Sequence, residues 1–180
     1  GSGGTGNTNE RLAWWLNAYN AFTVQLIIRN PTIKSIKDIG GKIPHVNSSW
    51  DIKFIKIGKR RYDLNSIEHG IIRKKFKDPR IHMALVCAAQ SCPMLRREAY
   101  EGAEIDMQLD DQCRRFLKDL TKNVLEPGTV KISRIFEWYS GDFKNSGGVH
   151  AFLEKYSDVV QLHKIKIEYL PYNWELNGYF

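Results

Sequence analysis

Long hydrophobic runs are missing from this chain of 180 residues. The longest candidate, residues 18–28, falls short of the ~20 apolar residues that a membrane-spanning helix needs, and Tyr19, Asn20 and Gln25 interrupt it. We therefore expect no transmembrane segment. Disorder is excluded as well, because apolar residues make up 42% of the chain and aromatic residues 12%, which is enough to bury a core.

Cysteine is scarce, and the chain has three, at positions 87, 92 and 113. An odd number in a chain of this length does not indicate a disulfide framework. A metal site would need two cysteine pairs, or cysteines with well-spaced histidines. Cys87 and Cys92 with one histidine nearby match that pattern weakly, and we expect no cofactor.

Acidic residues are outnumbered, with 27 Lys and Arg against 20 Asp and Glu, and the formal net charge is +7. The basic residues concentrate at residues 53–61, which read as a hairpin, and at residues 73–80. These runs are the best match to the basic stripe of a nucleic-acid-binding protein, but a solvated hairpin and an outer helix face explain them more simply. We expect no nucleic acid partner and keep an anionic partner at the hairpin as an alternative.

The sequence predicts one globular domain over residues 9–180, preceded by a Gly-rich linker or cloning remnant at residues 1–8. Hydrophobic periodicity, caps and turn residues predict its elements. They are helices at residues 9–29, 65–76, 106–123, 133–139 and 149–156, a hairpin with strands at 54–57 and 60–62, and strands at 81–87, 130–132 and 165–169. This order has no regular βαβ repeat and predicts an α+β fold, with helices packed on a small, mainly antiparallel sheet. A papain-like arrangement is one candidate.

Two asparagines, Asn17 and Asn20, interrupt the apolar first helix. Asparagine is a poor residue for a helix interior, so each should have a hydrogen-bonding reason to be there. A neighbouring loop is one candidate partner, and a place in an active cleft is the other.

The segment from Cys87 to Pro93 holds the residues that we expect to carry chemistry. Proline is favoured at the first position of a helix, so Cys92-Pro93 predicts a helix start. Free backbone N–H groups and the helix dipole would favour a thiolate at Cys92, and the same amides can hold an oxyanion. The alternative for Cys92 is a buried thiol beside a turn. Cys87, which ends a predicted buried strand, reads as packed support, and Cys113 reads as a core thiol.

Two histidines are candidates for the base. The predicted strand at 81–87 would run back along the helix at 65–76, because a tight turn joins them. The end of the strand then arrives near His69, whereas His82 lies about 16 Å from Cys87 along the strand. This geometry favours His69 as the partner of Cys92, unless the loop after the strand folds back along it.

Glu68 has two possible roles. It can orient a histidine, as a carboxylate does in triad chemistry, or complete a capping box with Asn65. Adjacent residues on a helix point about 100° apart, so Glu68 cannot easily bond His69 in line. Either Glu68 serves His82 or another group orients His69.

Several stretches together resemble one family: ERLAWWLNAYN (10–20), IEHGIIR (67–73), DPRIHMALVC (78–87) with SCP (91–93), IFEWY (135–139) and YNWELN (172–177). They resemble the domain of unknown function 547, DUF547. The resemblance implies a relative of cysteine peptidases with a Glu-His-Cys set. Glu68 and His69 match the pair, the cysteine falls on Cys92 or Cys87, and His82 lies in a family motif. It also implies an exported or envelope-associated bacterial protein, and a parent chain with a further N-terminal portion.

Our leading hypothesis is a thiol hydrolase acting on a peptide or amide bond. In it Cys92 attacks, His69 or His82 takes the proton, and Glu68 orients a histidine. The second hypothesis is a non-catalytic binding module of the bacterial envelope that uses the basic hairpin. The third is a metal site formed by Cys87, Cys92 and a histidine.

Overall fold

A computed structural model describes residues 6–41, 47–159 and 161–178. The α-helices are α1 (Thr8–Ile28), α2 (Leu64–Ile67), α3 (Lys74–Phe76), α4 (Ile105–Lys118), α5 (Ile135–Trp138), α6 (Ser140–Phe143) and α7 (Gly148–Tyr156). A π-helix at Glu68–Arg73 joins α2 to α3. Short 3₁₀ helices lie at Ile36–Asp38, Ser49–Asp51, Pro79–Met83, Lys144–Ser146 and Leu162–Lys164, and the strands are β1 (Ile55–Ile57), β2 (Arg60–Tyr62), β3 (Val124–Glu126), β4 (Thr129–Ser133) and β5 (Ile167–Leu170). The predicted α+β fold is confirmed.

The strands form two small sheets. β1 and β2 pair as an antiparallel hairpin. In the second sheet β4 lies in the middle, antiparallel to β3 and parallel to β5. The strand pairing is therefore mainly antiparallel in the part of the chain that the structure describes, as predicted. Except for the strand at 81–87 and the helix start at Cys92-Pro93, the predicted helices and strands are present, with ends that differ by up to five residues.

The first helix begins one residue before its predicted start and ends one residue early. Asn7 caps it: its side-chain oxygen accepts the N–H of Glu10, and the Glu10 carboxylate accepts the N–H of Asn7. The predicted linker, residues 1–8, therefore overlaps the helix start, and its first five residues lie outside the described chain.

The two asparagines of α1 hold the backbone of neighbouring loops. Asn17 donates to the carbonyl oxygen of Tyr100 and accepts its N–H, both at 2.8 Å. Asn20 donates to the carbonyl oxygen of Ala84 at 2.9 Å and accepts the N–H of Val86 at 3.0 Å. The prediction that a neighbouring loop satisfies these side chains is confirmed. Asn20 thereby fixes the backbone immediately before Cys87.

Two apolar cores meet along α4, one at each end of the helix. Ile105 and Leu109 from the start of α4 pack with α1, the hairpin and α2. Phe116 and Leu117 from its end pack with the three-stranded sheet and with α5, α6 and α7. One helix therefore contributes to both cores. Each fully buried side chain of this size contributes about 1.5–3 kcal/mol to the stability of the fold.

The predicted strand at residues 81–87 is wrong. Pro79–Met83 is a 3₁₀ helix that Asp78 caps, because the Asp78 side chain accepts the N–H of Arg80. Residues 84–87 continue as a loop. The run is mostly buried, as expected, but the side chain of Asn20 bonds its backbone where a neighbouring strand would have done so.

The predicted helix start at Cys92-Pro93 is also wrong. The N–H of Cys92 donates to the carbonyl oxygen of Ala89 at 3.0 Å and closes a turn. Beyond Pro93 the chain has no regular structure as far as residue 96. Gln112 of α4 donates to the carbonyl oxygen of Met94 at 3.0 Å, which occupies an acceptor that a helix would use itself.

No helix in the described chain is both long and apolar enough to cross a membrane.

Candidate functional site

A cleft of about 260 Å³ collects the residues that the sequence singled out. Cys87, Cys92, Glu68, His69 and His82 all line it. The walls are largely aromatic and include Trp50, Trp138, Tyr139, Tyr172 and Trp174. Apolar walls with a few convergent polar groups are typical of a ligand-binding site.

Cys87 lies half-buried in the cleft wall, directly after the loop that Asn20 fixes. Ala88, the next residue, has a φ of 59°, a left-handed conformation that is uncommon for a residue with a side chain. The chain therefore turns sharply after Cys87. The hydroxyl of Tyr172 lies 3.3 Å from the Cys87 sulfur.

The thiol of Cys87 has a lowered pKa. The largest cause is a side-chain hydrogen bond from Cys92, followed by the hydroxyl of Tyr172 and the backbone N–H of Ala89, which together outweigh burial. Burial strongly raises the pKa of Tyr172, so its hydroxyl keeps the proton with which it donates to a thiolate. The negative charge of Glu68 acts in the opposite direction on Cys87.

Cys92 is a buried thiol beside a turn, with 1% of its surface exposed. Its sulfur accepts the backbone N–H of Cys87 at 2.8 Å. Burial raises the pKa of the Cys92 thiol well above its ordinary value. The helix start that was to activate Cys92 is not there, and of the two sulfurs the one with the lowered pKa is that of Cys87.

Glu68 is buried at the start of the π-helix, a rare conformation that often marks functional sites. The predicted capping box of Asn65 with Glu68 is wrong, because Asp63 caps α2. Glu68 instead accepts two hydroxyl groups, from Tyr19 at 3.1 Å and from Tyr139 at 2.8 Å. Its carboxyl group is therefore held in the cleft wall by two hydroxyl donors.

The two histidines are joined through Asp142 and Arg73. His82 Nε2 lies 2.8 Å from the Asp142 carboxylate, which also accepts Arg73 Nε at 2.7 Å and Nη2 at 2.9 Å. Arg73 Nη1 lies 2.8 Å from His69 Nδ1. Tyr139 packs inside this network, with the His82 ring stacked on it at 4.0 Å and Arg73 over it at 4.8 Å.

These contacts assign different tautomers to the two histidines. Hydrogen bonds from Arg73 lower the pKa of Asp142, and burial lowers the pKa of His82, so an ionised carboxylate faces a neutral imidazole. His82 therefore donates from Nε2, and its Nδ1 lone pair has no hydrogen-bond partner among the described residues. Arginine can only donate, so the lone pair of His69 is the one that accepts Arg73.

Glu68 does not orient either histidine by a hydrogen bond in the described structure. Its nearest approach to His69 is 3.8 Å, to Nδ1. His82 is oriented by Asp142 and His69 by Arg73. A strand at 81–87 would hold His82 far from Cys87, whereas the 3₁₀ helix at Pro79–Met83 brings the His82 ring into the same cleft as Cys87.

Sequence reasoning missed Asp142, Arg73, Tyr19, Tyr139 and Tyr172. Tyr139 and Tyr172 lie in family motifs, but nothing in the motifs indicates what they bond. Arg73 lies in a basic run and ends the motif IEHGIIR, and neither feature indicates its bond to Asp142. Asp142 carried no signal at all, because its partners are 60 and more positions away in the chain.

The tryptophans give the cleft an aromatic rim. Trp138 stacks on Trp174 with ring centroids 5.8 Å apart, and Tyr172 packs on both, at 4.9 Å and 4.6 Å. Trp138 remains 45% exposed. Cys113 takes no part, because it is buried in the second core as predicted.

The described residues contain no group of three or more His, Cys, Asp or Glu side chains arranged to hold a metal ion. Cys87, Cys92 and the cleft histidines therefore do not form a ligand set in the described structure.

Comparison with family models matches residues 5–117 to the protein of unknown function DUF547. This match covers more than half of the chain, and it contains both cleft cysteines, both cleft histidines and Glu68. No curated protein and no solved structure matches the chain. The papain-like arrangement therefore stays a prediction.

Proposed function

The chain belongs to the DUF547 family, and from that premise we propose that it is a thiol hydrolase that cleaves an amide or peptide bond, with Cys87 as its nucleophile. The observation that carries the proposal is the Cys87 thiol, which lines the cleft and receives hydrogen bonds from Cys92, Tyr172 and the N–H of Ala89. Donors that stabilise the thiolate favour the nucleophilic form.

Cys92 is the supporting thiol in this proposal. Its raised pKa keeps it protonated, and its sulfur accepts the Cys87 N–H. Its S–H has two acceptors within reach, the Leu85 carbonyl oxygen at 4.0 Å and the Cys87 sulfur, whose pKa it lowers. The roles first expected of the two cysteines are thereby exchanged. The exchange rests on exposure, because a substrate in the cleft can reach half-buried Cys87, whereas Cys92 is 1% exposed.

His82 is the proton acceptor that the contacts favour. It is neutral, its Nδ1 lone pair is not used by the described residues, and the Asp142 carboxylate orients it through Nε2. This is the arrangement by which a carboxylate holds a catalytic imidazole in one tautomer. The charge of Glu68 favours the protonated form of His82. His69 has its lone pair on Arg73 and serves as a donor at the rim of the cleft.

The chemical steps follow from these roles. The Cys87 sulfur bonds to the carbonyl carbon of the substrate while its proton passes to His82. The C–N bond then breaks, and His82 returns that proton to the leaving amine, which leaves a thioester on Cys87. A water molecule attacks the thioester carbon and gives a proton to His82. The C–S bond then breaks, and His82 passes that proton to the Cys87 sulfur, which releases the acid and restores the Cys87 thiol.

The test is to trap the thioester. We expect p-nitrophenyl acetate, a generic acyl donor, to acetylate Cys87 and to release nitrophenol in a burst. Both cysteines of the cleft lie in one tryptic peptide, residues 81–96, so fragment-ion mass spectrometry must place the acetyl group on Cys87 rather than Cys92.

The matched variants are Cys87→Ala, which should abolish the burst, and Cys113→Ser, which should keep it because Cys113 lies in the second core. An unchanged burst in Cys87→Ala, or acetyl groups spread equally over the three cysteines, would reject Cys87 as the nucleophile.

A non-catalytic binding module is the alternative that a separate observation favours. Five basic side chains, Lys53, Lys56, Lys59, Arg60 and Arg61, are exposed on and beside the β1–β2 hairpin. They suit an anionic partner. This alternative also includes a location outside the cytoplasm, which the family resemblance implies. Salt-dependent retention on heparin that is lost in Arg60→Ser/Arg61→Ser, together with no burst in the wild-type protein, would favour the alternative.

A further inference from the structure

The loop from Cys87 to Cys92 folds back on itself and brings two thiols together. The N–H of Cys87 contacts the Cys92 sulfur at 2.8 Å, and hydrogen bonding from Cys92 is the largest cause of the lowered pKa of the Cys87 thiol. The left-handed Ala88 and the bond from the Cys92 N–H to the Ala89 carbonyl oxygen produce this turn. A thiol hydrolase needs one cysteine, so the second thiol beside it calls for an explanation.

The two thiols differ in access. Cys87 is half-buried and lines the cleft, whereas Cys92 is 1% exposed and packs in a small cluster with Val86 and Ala89. A small oxidant therefore meets Cys87 first. The thiol nearest to the oxidised sulfur is then Cys92.

We propose that Cys87 and Cys92 are a redox modification site, in which a hydroperoxide oxidises Cys87 and Cys92 converts the product to an intramolecular disulfide. In the first step the Cys87 thiolate attacks the peroxide oxygen, the O–O bond breaks, and the alcohol or water formed takes a proton. In the second step the Cys92 sulfur attacks the sulfenic acid of Cys87, and one water molecule leaves.

The disulfide has two consequences for the cleft. It removes the nucleophile reversibly, and it stops Cys87 from being oxidised further to the sulfinic acid, which thiol reductants do not restore. The inference rests on the 2.8 Å contact between the Cys87 N–H and the Cys92 sulfur and on the different exposure of the two thiols, so it does not require that the protein be a hydrolase.

The experiment is hydrogen peroxide treatment of the intact protein, followed by alkylation and tryptic digestion. Both cysteines lie in the peptide of residues 81–96, so the disulfide makes that peptide two hydrogens lighter and unreactive to alkylation until dithiothreitol is added. Met94 in the same peptide is 70% exposed, and its sulfoxide is recognised because dithiothreitol does not remove that oxygen. Cys113 should remain a free thiol.

Two variants sharpen the result. In Cys92→Ser we expect dimedone to capture the Cys87 sulfenic acid and the sulfinic acid to accumulate, whereas Cys113→Ser should form the disulfide like the wild-type protein. Progress of wild-type Cys87 to the sulfinic acid with no disulfide would overturn the inference, and this result needs no variant to fold. Both experiments are read out as peptide masses. If the disulfide forms but p-nitrophenyl acetate never acetylates Cys87, the hydrolase proposal is rejected and this inference stands.

Discussion

The chain on either side of residue 117 supplies two different halves of the cleft. The part that the family model matches holds the groups that can react, Cys87, His82 and Glu68. The remainder supplies their partners: Tyr172 bonds Cys87 at 3.3 Å, Asp142 bonds His82 at 2.8 Å, and Tyr139 bonds Glu68 at 2.8 Å. Several partners of the candidate reactive groups therefore come from a stretch of sequence outside the matched part, whereas Tyr19 and Cys92 are partners that lie within it.

The largest effect is expected when a partner from the second part is removed and the reacting group is kept. In Asp142→Asn the charge that orients His82 and holds Arg73 is lost. We expect the burst with p-nitrophenyl acetate to slow by about 10²- to 10⁴-fold, as in triads that lose their carboxylate. The acid limb of the pH–rate profile should also move to lower pH, because the bond to Asp142 raises the pKa of His82.

Glu137→Gln is the matched control for Asp142. Glu137 lies in the same stretch, 42% exposed, and pairs with Arg134 at 3.0 Å on the surface. Its loss should leave both the burst rate and the pH profile unchanged. If the two variants behave alike, Asp142 is an ordinary ion-pair partner and does not position His82.

A second variant tests whether α1 fixes the loop before Cys87, since both lie in the part of the chain that the family model matches. In Asn20→Ala the buried carbonyl of Ala84 and N–H of Val86 lose their partner, which should cost about 2–4 kcal/mol of unfolding free energy. We also expect iodoacetamide labelling of Cys87 to change, because the loop before it is no longer fixed. Urea unfolding and labelling rates measure the two effects.

Asn17→Ala is the control, because Asn17 makes the same two bonds to Tyr100 on the same helix. It should lose a similar unfolding free energy and leave Cys87 labelling as it is. Equal labelling changes in both variants would mean that the effect comes from a destabilised α1 and not from the loop.

Sequence reasoning succeeded where the signal is local and failed where it is not. The apolar spacing of α1 and the Gly58 turn of the hairpin are set within a few residues, so both were predicted. The apolar run at 81–87 predicts that these residues are buried, but it does not show whether a neighbouring strand or a side chain bonds their backbone. The side chain that does so belongs to Asn20, more than 60 positions away in the chain.

The candidate site shows the same limit. The five residues singled out do line one cleft, because thiol, imidazole and carboxylate side chains are recognisable by type. Their roles could not be assigned, since burial of Cys92 and the bonds of Tyr172 and Asp142 exist only after packing.

Tyr172→Phe tests the smaller contribution that the second part makes to Cys87. The variant keeps the ring against Trp174 and removes only the hydroxyl that donates to the thiolate. Without that donor the pKa of Cys87 should rise, because the hydroxyl stabilises the charged form of the thiol. The pH midpoint of iodoacetamide labelling should move upward, and an unmoved midpoint would show that Cys92 alone sets it.

Glu68→Gln should move the pH midpoint of Cys87 labelling downward, by a smaller amount than Tyr172→Phe moves it upward. The charge of Glu68 raises the pKa of Cys87, so its removal lowers that pKa and makes Cys87 label faster below neutral pH. Glutamine can still accept one of the two tyrosine hydroxyls, so the fold should tolerate the change. Because the same charge favours protonated His82, the burst should slow while labelling speeds up. That opposite response separates the charge of Glu68 from simple loss of structure, which would change both rates in the same direction.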